Sequence, residues 1–351
     1  VIGVLPPRDQ QDRIATIEPT EVATFRSDGE YSDGRRPDSV HFGNAKEDAL
    51  RRDFTINGLF YDPESHEVID YVQGRKDIDN KVLRTIGDPL DRFGEDKLRM
   101  LRAVRFATTL DFEIDADTLD AIRAHADDIA VVSGERIGAE MRRVLTNTNA
   151  AQGIDRLMQC NLDTTVLPEI GGTDRSQFAN LIDHAARVDF PLSLACLMLV
   201  TENHDEALRN IAGRWKLSNE EVRKAGAALK HWQIIAEANR RPWSVVQPVL
   251  TGRDVGTIVR LAAAVIAADS GDDRGLTIAQ DALKLSAAEL NPPPLISGND
   301  LAELGIPTGP QFGPILQALR DAQLNQQITC REDAARMAAE LAGGSEDADR
   351  N

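Results

Sequence analysis

Asp88-Pro-Leu-Asp-Arg-Phe-Gly-Glu-Asp-Lys-Leu-Arg-Met-Leu-Arg-Ala-Val-Arg105 is the stretch where the chain changes period. Before it, apolar residues come in short alternating runs. From about residue 91 they recur at helical spacing and continue to do so to about residue 290. At ~100° per residue, Glu95, Asp96, Arg99 and Arg102 fall within an arc of about 120°, and Phe93, Leu98, Met100, Leu101 and Val104 lie mostly on the other side. One helix is therefore expected over residues 91–110, apolar on one face and charged on the other. The charged face has two readings: a binding surface, or a solvated face with Asp96–Arg99 and Glu95–Arg99 pairs contributing a few tenths of a kcal/mol each.

Upstream of this stretch the signals are those of strands, in residues 21–25, 39–42 and 67–70, punctuated by glycine and aspartate. The chain begins at Val1 rather than Met, and residues 1–5 read as the end of a buried strand, so a preceding segment is expected. Residues 26–37, Arg-Ser-Asp-Gly-Glu-Tyr-Ser-Asp-Gly-Arg-Arg-Pro, are rich in turn formers and too polar to pack, which predicts a long loop. Downstream, helices are expected over 116–125, 134–145 and 151–158, with more to residue 290. Asn291-Pro-Pro-Pro-Leu295 marks a linker, a short module follows it, and the charged end, 343–351, is expected to be disordered.

At 351 residues and 42% hydrophobic, the chain is long enough for about two to four modules. No run approaches the ~18 apolar residues of a membrane span, so no membrane partner is expected and the cytoplasm is favoured. Cys160, Cys196 and Cys330 are far apart and odd in number, which predicts buried free thiols, with no disulfide framework and no zinc site. The six histidines are scattered and build no phosphohydrolase centre. A formal charge of −17 argues against a protein that coats nucleic acid with a generally basic surface. A local arginine cluster can still hold phosphates. The adjacent guanidiniums of Arg51 and Arg52, followed by Asp53 and, four residues on, Asn57, suit a triphosphate; the alternative is an ordinary surface pair before a structural segment.

Arg51-Arg-Asp-Phe-Thr-Ile-Asn57 together with the 88–105 stretch resembles the head and neck motifs of the class II tRNA nucleotidyltransferases (CCA-adding enzymes) and bacterial poly(A) polymerases. Ser133-Gly-Glu-Arg136 with Glu140 is similar to the family's next neck motif, residues 26–37 to its flexible loop, and residues 297–320 to its tail. The resemblance is close over residues 21–145 and loose through the helical body. It implies an α+β fold: a partial nucleotidyltransferase mixed-sheet head (1–86), then an all-α neck (87–150), body (151–290) and tail (291–342).

The resemblance also implies roles. Arg51, Arg52, Asp53 and Asn57 would bind the nucleotide's phosphates and ribose, and Asp96 with Arg99 would read the base. Glu95, Arg102 and Arg105 would support them, and Glu21 would be the catalytic carboxylate that helps hold two Mg²⁺ ions. The partners implied are tRNA, CTP and ATP, and the loop favours an enzyme that can add A. The family's other two metal ligands form an Asp-x-Asp pair upstream of the strand that begins here at Val1. Asp77 with Asp79, Asp115 with Asp117, and Asp347 with Asp349 have that spacing but read as helix-edge or tail acids. Three functions stay open: CCA or A addition to tRNA, poly(A) synthesis on general RNA, and nucleotide and RNA binding without catalysis.

Overall fold

The computed structural model describes residues 2–4, 20–29 and 38–348. By its internal packing the chain divides into two compact units, one of residues 1–172 with 213–216, the other of 173–212 with 217–351.

Among the described residues of the first unit the strands form four two-stranded ladders. β1 (Ile2–Val4) runs antiparallel to β2 (Thr20–Val22), and β3 (Arg26–Asp28) to β4 (Val40–Phe42). After α1 (Ala45–Leu50), β5 (Leu59–Asp62) turns back on β6 (Glu67–Asp70). The fourth ladder is parallel, β7 (Val82–Leu83) on β8 (Glu113–Ile114), and an isolated bridge joins Phe54 to Thr85. Three expectations need correction here. Ile2 is 70% exposed, because only β2 pairs with β1 among the described residues. Regular pairing of the second strand stops at Val22, and the expected loop yields Arg26–Asp28 to a strand. Residues 30–37 of that loop lie outside the described residues.

The helical half begins with a further correction. Residues 91–110 are two helices, α2 (Pro89–Glu95) and α3 (Leu98–Leu110), and not one. Asp96 breaks them apart: its backbone is extended (φ −147°, ψ 107°) and its carboxylate accepts a hydrogen bond from the Leu98 N–H at 3.1 Å. A short polar side chain that satisfies a nearby backbone donor competes with helix continuation, which apolar periodicity does not reveal. α4 (Ala116–Ala124), α5 (Gly134–Leu145) and α6 (Ala150–Gln159) follow, and α3 packs on α5 and α6. Phe54, Phe93, Met100, Leu101, Val104, Met141 and Trp215 are fully buried in this unit.

The second unit is all helix among its described residues. One core gathers Ile235, Val246, Leu250, Ile258 and Ala279, with Trp232 and Trp243 packed against it. A separate core in residues 296–342 gathers Ile296, Leu301, Ile315, Leu319 and Ala338. The proline segment is held rather than free, since Arg320 donates to the Pro292 carbonyl at 2.7 Å and Gln323 to that of Pro293 at 2.8 Å. The last helix, Arg331–Ala348, runs into the charged end; adding a residue to a formed helix costs little. Residues 349–351 lie outside the described residues. Cys160 and Cys196 are buried and burial pushes both thiols up to about 12, whereas Cys330 is only half-buried. No helix of the described residues is long and apolar enough to cross a membrane.

Candidate functional site

A cavity of about 550 Å³ in the first unit is lined by residues from four places in the sequence: Arg26 and Asp28; Arg51, Arg52, Asp53 and Asn57; Asp96, Leu98, Arg99, Arg102 and Phe106; and Arg136. Six arginines face three aspartates in that lining, so a chain that is acidic as a whole presents a locally cationic hollow.

The first wall comes from the exit of α1. A capping box starts that helix, with Asn44 Oδ1 accepting from the Glu47 N–H and Glu47 Oε2 accepting from the Asn44 N–H, both at 3.0 Å. Arg51 caps its far end, the chain bends at Arg52 and Asp53, and it is extended at Phe54, which is fully buried and bridged to Thr85. That buried ring fixes the depth of Asp53 and of the 3₁₀ turn Thr55–Asn57. Gly74 is required beneath the turn, because a Cβ there would lie 2.2 Å from the Thr55 carbonyl oxygen. Thr55 is held from below by its hydroxyl, which donates to the buried Asp77 at 2.7 Å. Asp77 is thus a helix-edge acid, in the first turn of the helix Gly74–Asp79, and it is buried.

Asp53 is the hinge of the wall. One oxygen accepts from Asn57 Nδ2 at 2.9 Å and from the Phe54 N–H at 3.0 Å; the other accepts from Arg102 at 2.9 and 2.6 Å. Burial alone would raise its pKa, but the Arg102 charge and these hydrogen bonds outweigh it and hold the carboxyl below its ordinary value. Arg52 lies over the Phe60 ring at 4.8 Å and donates to the Asn57 carbonyl at 2.8 Å.

The second wall is the α2–α3 junction. Arg99 is buried and donates to the Arg92 carbonyl at 3.1 Å, to Glu95, and at 3.5 Å to the carbonyl of Arg51. A guanidinium has five donors, so these contacts leave donors for the cavity. The expected Glu95–Arg99 pair therefore exists, but the expected Asp96–Arg99 pair does not. Once the helix breaks, Asp96 turns to a different partner, Arg136 on α5, whose Nη2 donates to it at 2.7 Å. Arg105 is outside the cavity lining; it pairs with Glu140, which is buried, and covers the Phe106 ring at 3.7 Å.

The fold thus brings Arg51, Arg52, Asp53, Asn57, Asp96, Arg99 and Arg102 to one cavity, with Glu95 directly behind Arg99. Glu21 does not line it and sits on β2, whose three residues are all exposed. Sequence reasoning passed over Arg136 and Phe106 as site residues. Arg136 and Glu140 were visible as a motif, but nothing local told which acid or base each would meet.

The two Mg²⁺ ions that the resemblance implies need clustered carboxylates. Among the described residues no three His, Cys, Asp or Glu side chains are placed to hold a metal, and Glu21 stands apart from the aspartates of the cavity. The described residues do not by themselves make that centre.

Comparison with known proteins agrees with the geometry. Residues 8–84 match the family described as the poly A polymerase head domain, and residues 111–171 one described as the probable RNA and SrmB-binding site of polymerase A. Over 302 residues the chain is 33% identical to the CCA-adding enzyme of Levilactobacillus brevis, covering 84% of this chain and 73% of that one. The CCA-adding enzyme of Geobacillus thermodenitrificans is 33% identical over 319 residues, covering 88% and 75%. The crystal structure of the Bacillus stearothermophilus CCA-adding enzyme in complex with CTP superposes with a TM-score of 0.70 at 28% identity, covering 95% of this chain and 81% of that one. A cationic cavity built from the head and neck motifs, in a chain with this much of its length shared, makes the protein a member of the CCA-adding enzyme family of nucleotidyltransferases.

Proposed function

We propose that the chain adds CMP and AMP, from CTP and ATP, to the 3′ end of tRNA, and that the cavity selects the nucleotide. The observation that carries this reading is the convergence of Arg51, Arg52, Asp96 and Arg99 on one cationic hollow in a chain of this family. The similar B. stearothermophilus enzyme is known in complex with CTP.

In this reading Arg51 and Arg52 hold the triphosphate, Asp53 and Asn57 the ribose side, and Asp96 with Arg99 the edge of the base. Cytosine and adenine both present an exocyclic amine beside a ring-nitrogen acceptor, which a carboxylate and a guanidinium complement. Uracil and guanine present a carbonyl where that amine would be, facing the Asp96 carboxylate with a second acceptor. Glu95, Arg102 and Arg136 fix these groups before the nucleotide arrives. Glu21 is proposed as the chain's contribution to a Mg²⁺ centre, with no step assigned to it. Residues 1–86 serve as head, 87–150 as neck, 151–290 as body and 291–342 as tail, the last two docking the tRNA by its backbone and shape. The compartment this entails is the cytoplasm.

The match to a poly A polymerase head favours a second reading, extension of general RNA with A. Incubation with CTP, ATP and Mg²⁺, on tRNA ending at its discriminator base and on an unstructured RNA, separates the readings. A short, tRNA-dependent addition is expected. Long A tracts on both RNAs would sink the tRNA reading, and no transfer with nucleotide binding retained would leave the chain a binding protein.

A further inference from the structure

Two adjacent arginines at the end of a short helix have no intrinsic reason to converge on one cavity. Their charges repel, and each long side chain has many rotamers open to it. In this protein a single carboxylate removes both obstacles. Asp48 lies three residues before Arg51 and four before Arg52, which places it on the helical face beneath both. It is 2% exposed. Its Oδ1 accepts from Arg51 Nε at 3.0 Å and Nη2 at 2.6 Å, and from the Arg26 backbone N–H at 3.3 Å. Its Oδ2 accepts from Arg52 Nε at 3.1 Å and Nη2 at 2.9 Å.

Each guanidinium is thereby gripped along one edge, and each keeps its other edge for a second contact. For Arg52 that edge reaches the Asn57 carbonyl at 2.8 Å; for Arg51 it approaches Asp28 at 3.6 Å. Asp48 itself does not line the cavity, so it has no contact to offer a ligand. Burial would raise the pKa of this carboxyl, but the hydrogen bonds from Arg51, Arg52 and Arg26 together hold it below the ordinary value. It is therefore a fixed anion at neutral pH.

We propose that Asp48 is the positioning residue of the triphosphate site: one buried carboxylate that sets Arg51 and Arg52 in register for phosphate, equally for CTP and ATP and independently of base choice. The proposal rests on the reading of the cavity as a nucleoside triphosphate site. Two effects compete when Asp48 becomes Asn. Removing a negative charge makes the cavity more attractive to phosphate. Against that, an amide has one acceptor oxygen, and its NH₂ must face a guanidinium, donor against donor, so one arginine is released. We expect the loss of orientation to prevail, because the anion's charge is already spread over two guanidiniums and it sits behind them.

The test is equilibrium binding of CTP, ATP and CMP, in Mg²⁺ at fixed salt, to residues 1–351 and to Asp48→Asn. The variant is expected to bind CTP and ATP more weakly by one common factor, on the order of tenfold, with CMP changed far less, so that the gap between CTP and CMP narrows. Unchanged or tighter CTP binding would overturn the proposal. So would CTP, ATP and CMP falling together, the mark of a residue that only supports the cavity. Failure of the unsubstituted chain to bind CTP would instead count against the nucleotide reading itself. If Asp48→Asn does not fold, Asp48→Glu keeps the anion and shifts it by one methylene; a loss confined to the triphosphates is again expected, and an equal loss for CMP would refute it.

Discussion

Asp53 shows how a site residue can also be a stability determinant. Its carboxylate is buried against Arg102, Asn57 and the Phe54 N–H, and its pKa is held down in the folded chain. A carboxyl with a lowered folded pKa contributes stability that is complete above its unfolded value, about 3.9, and is lost as pH falls through the lower folded value. Asp53→Asn should therefore destabilise the first unit at pH 7 by about 1–3 kcal/mol, less than a fully buried pair because Arg102 is partly solvated. The difference in melting temperature between the two forms should shrink as pH is lowered from 5 to 3. A difference that stays constant over that range would mean that Asp53 is not the ionised partner of Arg102. At this scale residue type was informative and pairing was not. Arg51, Arg52, Asp53, Asp96 and Arg99 stand out in the sequence as charges beside apolar runs. That Asp96 meets Arg136, forty residues away, is decided by where α5 packs.

At the scale of elements, the helices were legible because burial on one side imprints a period of about 3.6 residues. The expected 134–145 helix is Gly134–Leu145, and the expected 151–158 helix is Ala150–Gln159. The failures have local causes. Strand Leu59–Asp62 was missed because Leu-Phe-Tyr-Asp shows no clean alternation, and its pairing is imposed by the turn at Asp62, whose carboxylate accepts from the Glu64 N–H at 2.9 Å. The break at Asp96 was missed because apolar spacing runs straight across it. That break matters functionally, since it turns the proposed base-reading carboxylate out of the helix and toward the cavity. The short turn Thr55–Asn57 depends on close approach rather than on apolar area, which gives a test. Gly74→Ala places a methyl 2.2 Å from the Thr55 carbonyl, and backbone cannot yield as a side chain can. The substitution should cost about 1–3 kcal/mol of stability, measured by denaturant unfolding, and should weaken nucleotide binding through Asn57. A variant as stable as the parent would show that the turn can move.

For the molecule as a whole, net charge and function point in different directions, and the local arrangement decides. A formal charge of −17 repels nucleic acid at long range, yet six arginines and three aspartates line one cavity in the first unit. The family was legible in the sequence because its motifs lie in segments that fold locally. The completeness of the site was not, because it depends on contacts such as Asp48 to Arg51 and Arg52, and Arg99 to the Arg51 carbonyl, that join one motif's charge to another's backbone. In the proposed function this cavity chooses C and A with Asp96 and Arg99. The most direct test of that choice is the equilibrium affinity of residues 1–351 for CTP, ATP, UTP and GTP, measured alongside Arg99→Ala. CTP and ATP should bind about tenfold or more tighter than UTP and GTP, and the variant should lose that gap while its fold is kept. Four nucleotides bound alike by the unsubstituted chain, or selection intact in the variant, would contradict the account.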